Sequence, residues 1–87
     1  MRLDSARDFG LFVKDQRQEA GFSQAMLAAR AAVSRRWLAD LESGKSTVEV
    51  GLVLRVIAAL GLYLEARVEP VPELDLDDYL DNLGPAS

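Results

Sequence analysis

The sequence predicts a mainly helical domain: four short helices followed by one short strand. Three observations predict it. Apolar residues recur at three- and four-residue intervals across most of residues 5–60. Ser23 and Ser34 stand where helix N-caps are wanted, and Gly21, Gly44 and Gly61 stand just past periodic segments. Residues 62–68 then switch to a period of two.

The first helix is expected over about Ser5 to Ala20, with Phe9, Phe12, Val13 and Gln16 on one face and Gly21 as its left-handed stop. Ser23 caps a second helix, about Gln24 to Arg30. Its capping box is incomplete, because Met26 stands where Glu or Gln would reach back. Ala31, Ala32 and Val33 form a turn. Ser34 caps a third helix, about Arg35 to Glu42, which Ser43 and Gly44 end. Lys45 to Val50 reads as a loop. A fourth helix covers about Leu52 to Leu60, its apolar face built from Leu52, Val53, Val56, Ile57 and Leu60. In the strand, Leu62, Leu64, Ala66 and Val68 fall on one side and Tyr63, Glu65 and Arg67 on the other. A lone strand has no partner in a helical chain, and its N–H and C=O groups must be satisfied. Pairing with the same strand of a second copy across a two-fold axis is the simplest solution, so a homodimer is expected.

Bulk properties bound the function. With 87 residues the chain is one small domain, and it has no Cys for a disulfide and neither Cys nor His for zinc. No cofactor or metal is expected. No signal peptide or membrane span is read, and a cytoplasmic location, on the nucleoid when DNA-bound, is expected. The net charge of −4 is unevenly placed. Residues 1–68 carry all ten Lys and Arg against eight acids, whereas residues 69–87 carry six acids and no base. A mildly basic body, residues 1–69, is therefore expected to precede an acidic tail, residues 70–87. Pro70 and Pro72 open that tail. Within it Leu76, Tyr79, Leu80 and Leu83 have helical spacing, with Asp75, Asp77 and Asp78 suited to a helix start. A segment this short orders only against a partner, such as a basic cleft on another protein; otherwise it is a solubilising or autoinhibitory tail.

The second and third helices and the turn between them have the organisation of a DNA-binding helix-turn-helix. Ala28 is small where the helices approach. Val33, Leu38 and Leu41 face the core, and Trp37 packs inward or at the edge. Ala25, Met26, Arg30, Arg35, Arg36 and Asp40 fall outward. Arg35 and Arg36, at the first turn of the third helix, are the candidate base readers, each able to grip a guanine in two hydrogen bonds. Gln24 heads the second helix and Ser34 the third, where side chain and free N–H groups can meet phosphates; Lys45 suits another phosphate. Catalysis is not expected: there is no His or Cys, the six glycines are scattered, and the densest carboxylates lie in the tail.

The stretch Gly21-Phe-Ser-Gln24, then Leu27-Ala28, Val33-Ser34-Arg35-Arg36-Trp37-Leu38 and Leu41-Glu42-Ser43-Gly44-Lys45, resembles the Xre/lambda-repressor-like helix-turn-helix family. The continuation Leu52 to Leu62, followed by a strand, is similar to the HipB-type antitoxins. The resemblance covers about residues 8–68. It implies a homodimer that binds palindromic operator DNA, pairs its C-terminal strands, represses its own operon and binds a HipA-like serine/threonine kinase toxin. Gln24, Ser34, Arg35, Arg36 and Lys45 would then be the DNA-contacting positions. Ala32 departs from the family's usual Gly in the turn, and Met26 from a polar residue. Two alternatives are an Xre-type regulator without a toxin, and a protein-interaction module acting through the tail positions Leu76, Tyr79, Leu80 and Leu83.

Overall fold

The computed structural model describes residues 2–69, so the tail 70–87 with Leu76, Tyr79, Leu80 and Leu83 lies outside the described residues. Four helices are present: α1 (Ala6–Glu19), α2 (Gln24–Ala31), α3 (Arg35–Glu42) and α4 (Val50–Ala59). Helix α1 packs on α3, and α2 packs on both α3 and α4. The side chains of Val13, Leu27, Ala28, Ala31, Leu38, Leu41, Val56 and Ile57 are buried between them. Phe9, Phe12, Phe22, Val33, Trp37 and Leu60 close the margins of this core.

The caps expected at Ser23 and Ser34 form, and Ser5 caps α1 as well. The Ser5, Ser23 and Ser34 hydroxyls accept from the backbone N–H of Asp8, Met26 and Trp37 at 3.0, 3.1 and 3.0 Å, each satisfying one of the donors that a helix start leaves free. All four helices end in the same way, with paired backbone bonds from the two residues past the end back to the last turn. Such an ending puts its first residue in the left-handed region. Glycine holds that position after α1, α3 and α4, but Ala32 holds it after α2, at φ 56° and ψ 45°. The left-handed region costs a Cβ-bearing residue ~1–2 kcal/mol.

Two features of the packing are less apparent from hydrophobic periodicity. Gly10 lies in the middle of α1, where glycine is ordinarily unfavourable. It is buried against the end of α3. A Cβ there would stand 2.8 Å from the Glu42 carbonyl oxygen and closer still to that of Leu41. Only a residue without a side chain lets α1 and α3 approach this closely. The second feature is a buried ion pair. Arg17 donates from Nε to Glu42 Oε2 at 2.7 Å and from Nη2 to Oε1 at 3.0 Å. Its remaining Nη1 donates to the Phe22 carbonyl at 2.9 Å. Gln24 Nε2 adds a bond to Glu42 Oε1 at 3.2 Å. The end of α1, the start of α2 and the end of α3 are thus tied at one carboxylate.

Two expectations need correction. Helix α4 starts at Val50, not about Leu52: the Glu49 carbonyl accepts the Val53 N–H at 3.1 Å and opens the helix, although no side chain caps it. The strand expected at Leu62, Leu64, Ala66 and Val68 is absent: the described residues contain no strand. Leu62 N–H closes the end of α4 by bonding Ile57, but beyond it the N–H groups of 63–69 have no backbone partner among the described residues. A strand needs a paired neighbour, and a single chain of this topology supplies none. Arg2 pairs with Glu69 instead, bringing the N-terminal segment beside this extended one.

The packing sets three stability outcomes. Glu42→Ala leaves the Arg17 guanidinium buried and unpaired, and is expected to cost about 3–5 kcal/mol in urea unfolding. Gly10→Ala is expected to destabilise by about 1–3 kcal/mol through overpacking against backbone that cannot move independently. Ala32→Gly is expected to stabilise by about 0.5–1 kcal/mol, because relief of left-handed strain exceeds the added entropy of the unfolded chain.

Candidate nucleic-acid interface

Helices α2 and α3 bury one side each. The buried residues of α2 are Leu27, Ala28 and Ala31, and those of α3 are Leu38, Leu41 and Glu42. At the starts of both helices Ser23, Ala25, Met26, Ser34, Arg35 and Arg36 are exposed. Asp40 and Trp37 are half-buried, with Trp37 packed against the core.

Arg35 and Arg36 are the first two residues of α3, and neither forms an ion pair with a described acid. That position works against the helix. The N-terminus carries the positive end of the helix dipole, where a cation is destabilising and an acid favourable. By contrast α1 has Asp8 in its first turn, whereas α2 and α3 have no acid there. Two exposed guanidiniums at one acid-free helix start, and a second acid-free start on α2, are features that favour phosphates and base edges.

The other sequence-selected positions are placed as follows. Ser34 Oγ accepts the Trp37 N–H, so its own O–H remains available to donate. Gln24 is half-buried, with one N–H engaged by Glu42; its Oε1 and second N–H have no partner among the described residues. Lys45 follows the end of α3, with Nζ 3.7 Å from Asp40 Oδ2 and the side chain 54% exposed. The pair is too long and too wet to withhold Lys45 from a phosphate. Four of the five positions therefore sit at the starts of α2 and α3 or next to them, and Lys45 lies at the far end of α3.

Sequence reasoning overlooked three residues that shape this surface. Arg17 and Glu42 sit on the apolar stripes of their helices, four residues from Val13 and from Leu38. Opposite charges at core positions of two helices were the available signal. The third is Arg55 on α4, whose Nη1 donates to the Ala32 carbonyl in the turn at 3.1 Å. Arg30, on the outer side of α2, lies over the Phe22 ring at 4.8 Å, a cation–π contact that holds it beside the α1–α2 connection.

Residues 8–71 match the helix-turn-helix domain family, a span that takes in α2, α3, α4 and nearly all of α1. The chain belongs to that family. It is also similar to an uncharacterized HTH-type transcriptional regulator, y4mF, of Sinorhizobium fredii (strain NBRC 101917 / NGR234), with 38% identity over 64 residues, covering 74% of this chain and 84% of the relative. In a helix-turn-helix domain the second helix of the motif is the one that enters the major groove, with base contacts from its N-terminal residues. In this chain the second helix of the motif is α3, and the residues at its start are Arg35 and Arg36.

This placement gives a diagnostic outcome. In the variant Arg35→Ala/Arg36→Ala, specific DNA affinity is expected to fall by roughly 100-fold or more, because neither truncated side chain can grip a base edge through two hydrogen bonds. The melting temperature should stay level or rise by a few degrees, because two cations leave a helix N-terminus. Calorimetry and DNA titration on the same preparation check both. Unchanged DNA affinity in this folded variant would remove the recognition assignment.

Proposed function

We propose that this chain is a sequence-specific DNA-binding transcriptional repressor that acts as a homodimer on palindromic DNA upstream of its own gene. The observation that carries it is the exposed Arg35–Arg36 pair at the start of α3, held where it opposes the helix dipole and serves no described ion pair. Binding through it uses two terms. Phosphate contacts at the helix starts, from Ser34 and Gln24, and at Lys45 set register and orientation. The arginines then read base edges.

The dimer rests on two features. The backbone of 63–69 lacks partners among the described residues, and Leu64, Ala66 and Val68 are exposed along it. Helix α4 also leaves Val50 and Leu54 exposed, at 70% and 49%, with Ala58 one turn further on. A second copy pairing its own residues 62–68 antiparallel would satisfy the backbone and cover apolar surface in one step. Two recognition helices related by a two-fold axis then read two half-sites about one helical turn apart.

The antitoxin role is the finer form of this proposal. The likeness of residues 52–62 and the following segment to HipB-type antitoxins supports a HipA-like serine/threonine kinase as the protein partner. Its test is co-expression with the kinase-like product of an adjacent gene and co-purification of the two. Growth arrest relieved by this chain supports it. Absence of both a kinase-like neighbour and a complex leaves a plain regulator of the same fold.

The repressor is tested by fluorescence anisotropy on a duplex from upstream of the gene, beside a scrambled duplex, across a salt series. Specific binding should exceed scrambled binding by about 10³-fold or more at physiological salt. Equal, weak binding that collapses with salt would mean the arginines contribute only non-specific charge.

A further inference from the structure

The turn that aims α3 is held from outside the motif. Ala32 adopts the left-handed conformation that the other three helix endings give to glycine. Its N–H bonds Ala29 at 3.2 Å, and the next N–H, of Val33, bonds Ala28 at 3.0 Å. Its carbonyl receives no backbone donor among the described residues. That oxygen is taken by Arg55 of α4, at 3.1 Å from Nη1. The contact spans 23 positions in sequence and joins α4 to the turn just before α3 begins.

We propose that Arg55 is a positioning residue for DNA recognition: by gripping the Ala32 carbonyl it keeps a strained turn in the one conformation that presents Arg35 and Arg36 to the groove. The proposal deepens the DNA-binding reading and rests on it. Three physical points support the role. A cation donating to the carbonyl at the end of α2 is favoured both by its charge and by the negative end of the helix dipole. An alanine at φ 56° has accessible alternatives in the right-handed and extended regions, and the bond to Arg55 opposes escape into them. A rotation of the Ala32 peptide changes the direction in which the chain enters α3, and Arg35 follows after only Val33 and Ser34.

The strain supplies the test. With glycine at this position the left-handed conformation no longer needs holding, so the need for Arg55 should disappear. The experiment compares wild type, Arg55→Met, Arg55→Lys, Ala32→Gly and the double variant Ala32→Gly/Arg55→Met. Each is titrated against the upstream duplex at several salt concentrations and unfolded in urea. Arg55→Met is expected to weaken DNA binding by about three- to ten-fold, the scale of one ordinary hydrogen bond at a solvent-exposed site. The salt dependence should not change. Arg55→Lys should recover part of the loss, and Ala32→Gly/Arg55→Met should return to within about two-fold of Ala32→Gly alone.

A loss of about one charge from the salt slope, with no rescue by Ala32→Gly, would overturn the proposal and make Arg55 a direct phosphate ligand. Wild-type affinity in Arg55→Met would also overturn it. Were the wild-type chain not to bind the duplex, the DNA reading would fail separately, and with it the recognition role. The urea data would still report whether Arg55 and Ala32 are energetically coupled, as a larger shift in midpoint for Arg55→Met in the natural background than in the Ala32→Gly background.

Discussion

The Arg17–Glu42 ion pair is the constraint around which the other features are arranged. A guanidinium and a carboxylate buried among three helices cannot be left half-paired, because an unpaired buried charge is far more costly than the pair is stabilising. The Glu42 carboxylate receives Arg17 from α1 and Gln24 from the start of α2, and Arg17 also holds the Phe22 carbonyl in the connection between them. These contacts fix where α3 ends relative to where α2 begins. Gly10 reinforces the same geometry by letting α1 approach the last carbonyls of α3 at a distance no side chain permits. The apolar core supplies the driving force for collapse, but it is non-directional; the charged cluster selects the register.

That register leaves the starts of α2 and α3 exposed. The two ends of α3 divide the work. Its C-terminal end is anchored by Leu38, Leu41 and Glu42, while its N-terminal end is given over to two arginines that disfavour the helix carrying them. This violation of local preference at a solvent-exposed helix start, with no described ion pair to offset it, is the feature on which the proposed DNA-reading role rests. Ala32 is a second such violation, three residues away, and Arg55 offsets it by a bond from a different helix.

Much of this was legible in the residues. Ser23 and Ser34 announce helix starts because their short hydroxyls satisfy N–H groups locally, and that information survives without any tertiary context. The bounds of α3 followed directly from Ser34 and from Ser43-Gly44. Ala32 stood out as a departure from the glycine of related turns, but its left-handed conformation came from the structure. What was not legible depends on distant neighbours. Arg17 and Glu42 stand on the apolar stripes of their helices, but that they meet each other shows only when two helices are brought together. Gly10 carries no sign that a carbonyl passes it. Helix α4 begins two residues ahead of its expected start, and Glu49, which makes no side-chain capping bond, carries no local mark of that boundary. The alternation through 62–68 has the pattern of a strand, but pattern alone supplies no hydrogen-bonding partner, and the described chain contains none.

The most direct test of the account is a ¹⁵N–¹H NMR titration of the full chain with the duplex from upstream of its own gene. If the buried cluster presents α3 as described, the amides that shift should be those of residues 23–26, 34–40 and 44–46. The buried amides of Val13, Val56 and Ile57 should stay in place. Shifts concentrated in α4 and residues 62–69, with the start of α3 unmoved, would contradict the account and place the binding surface elsewhere on the molecule.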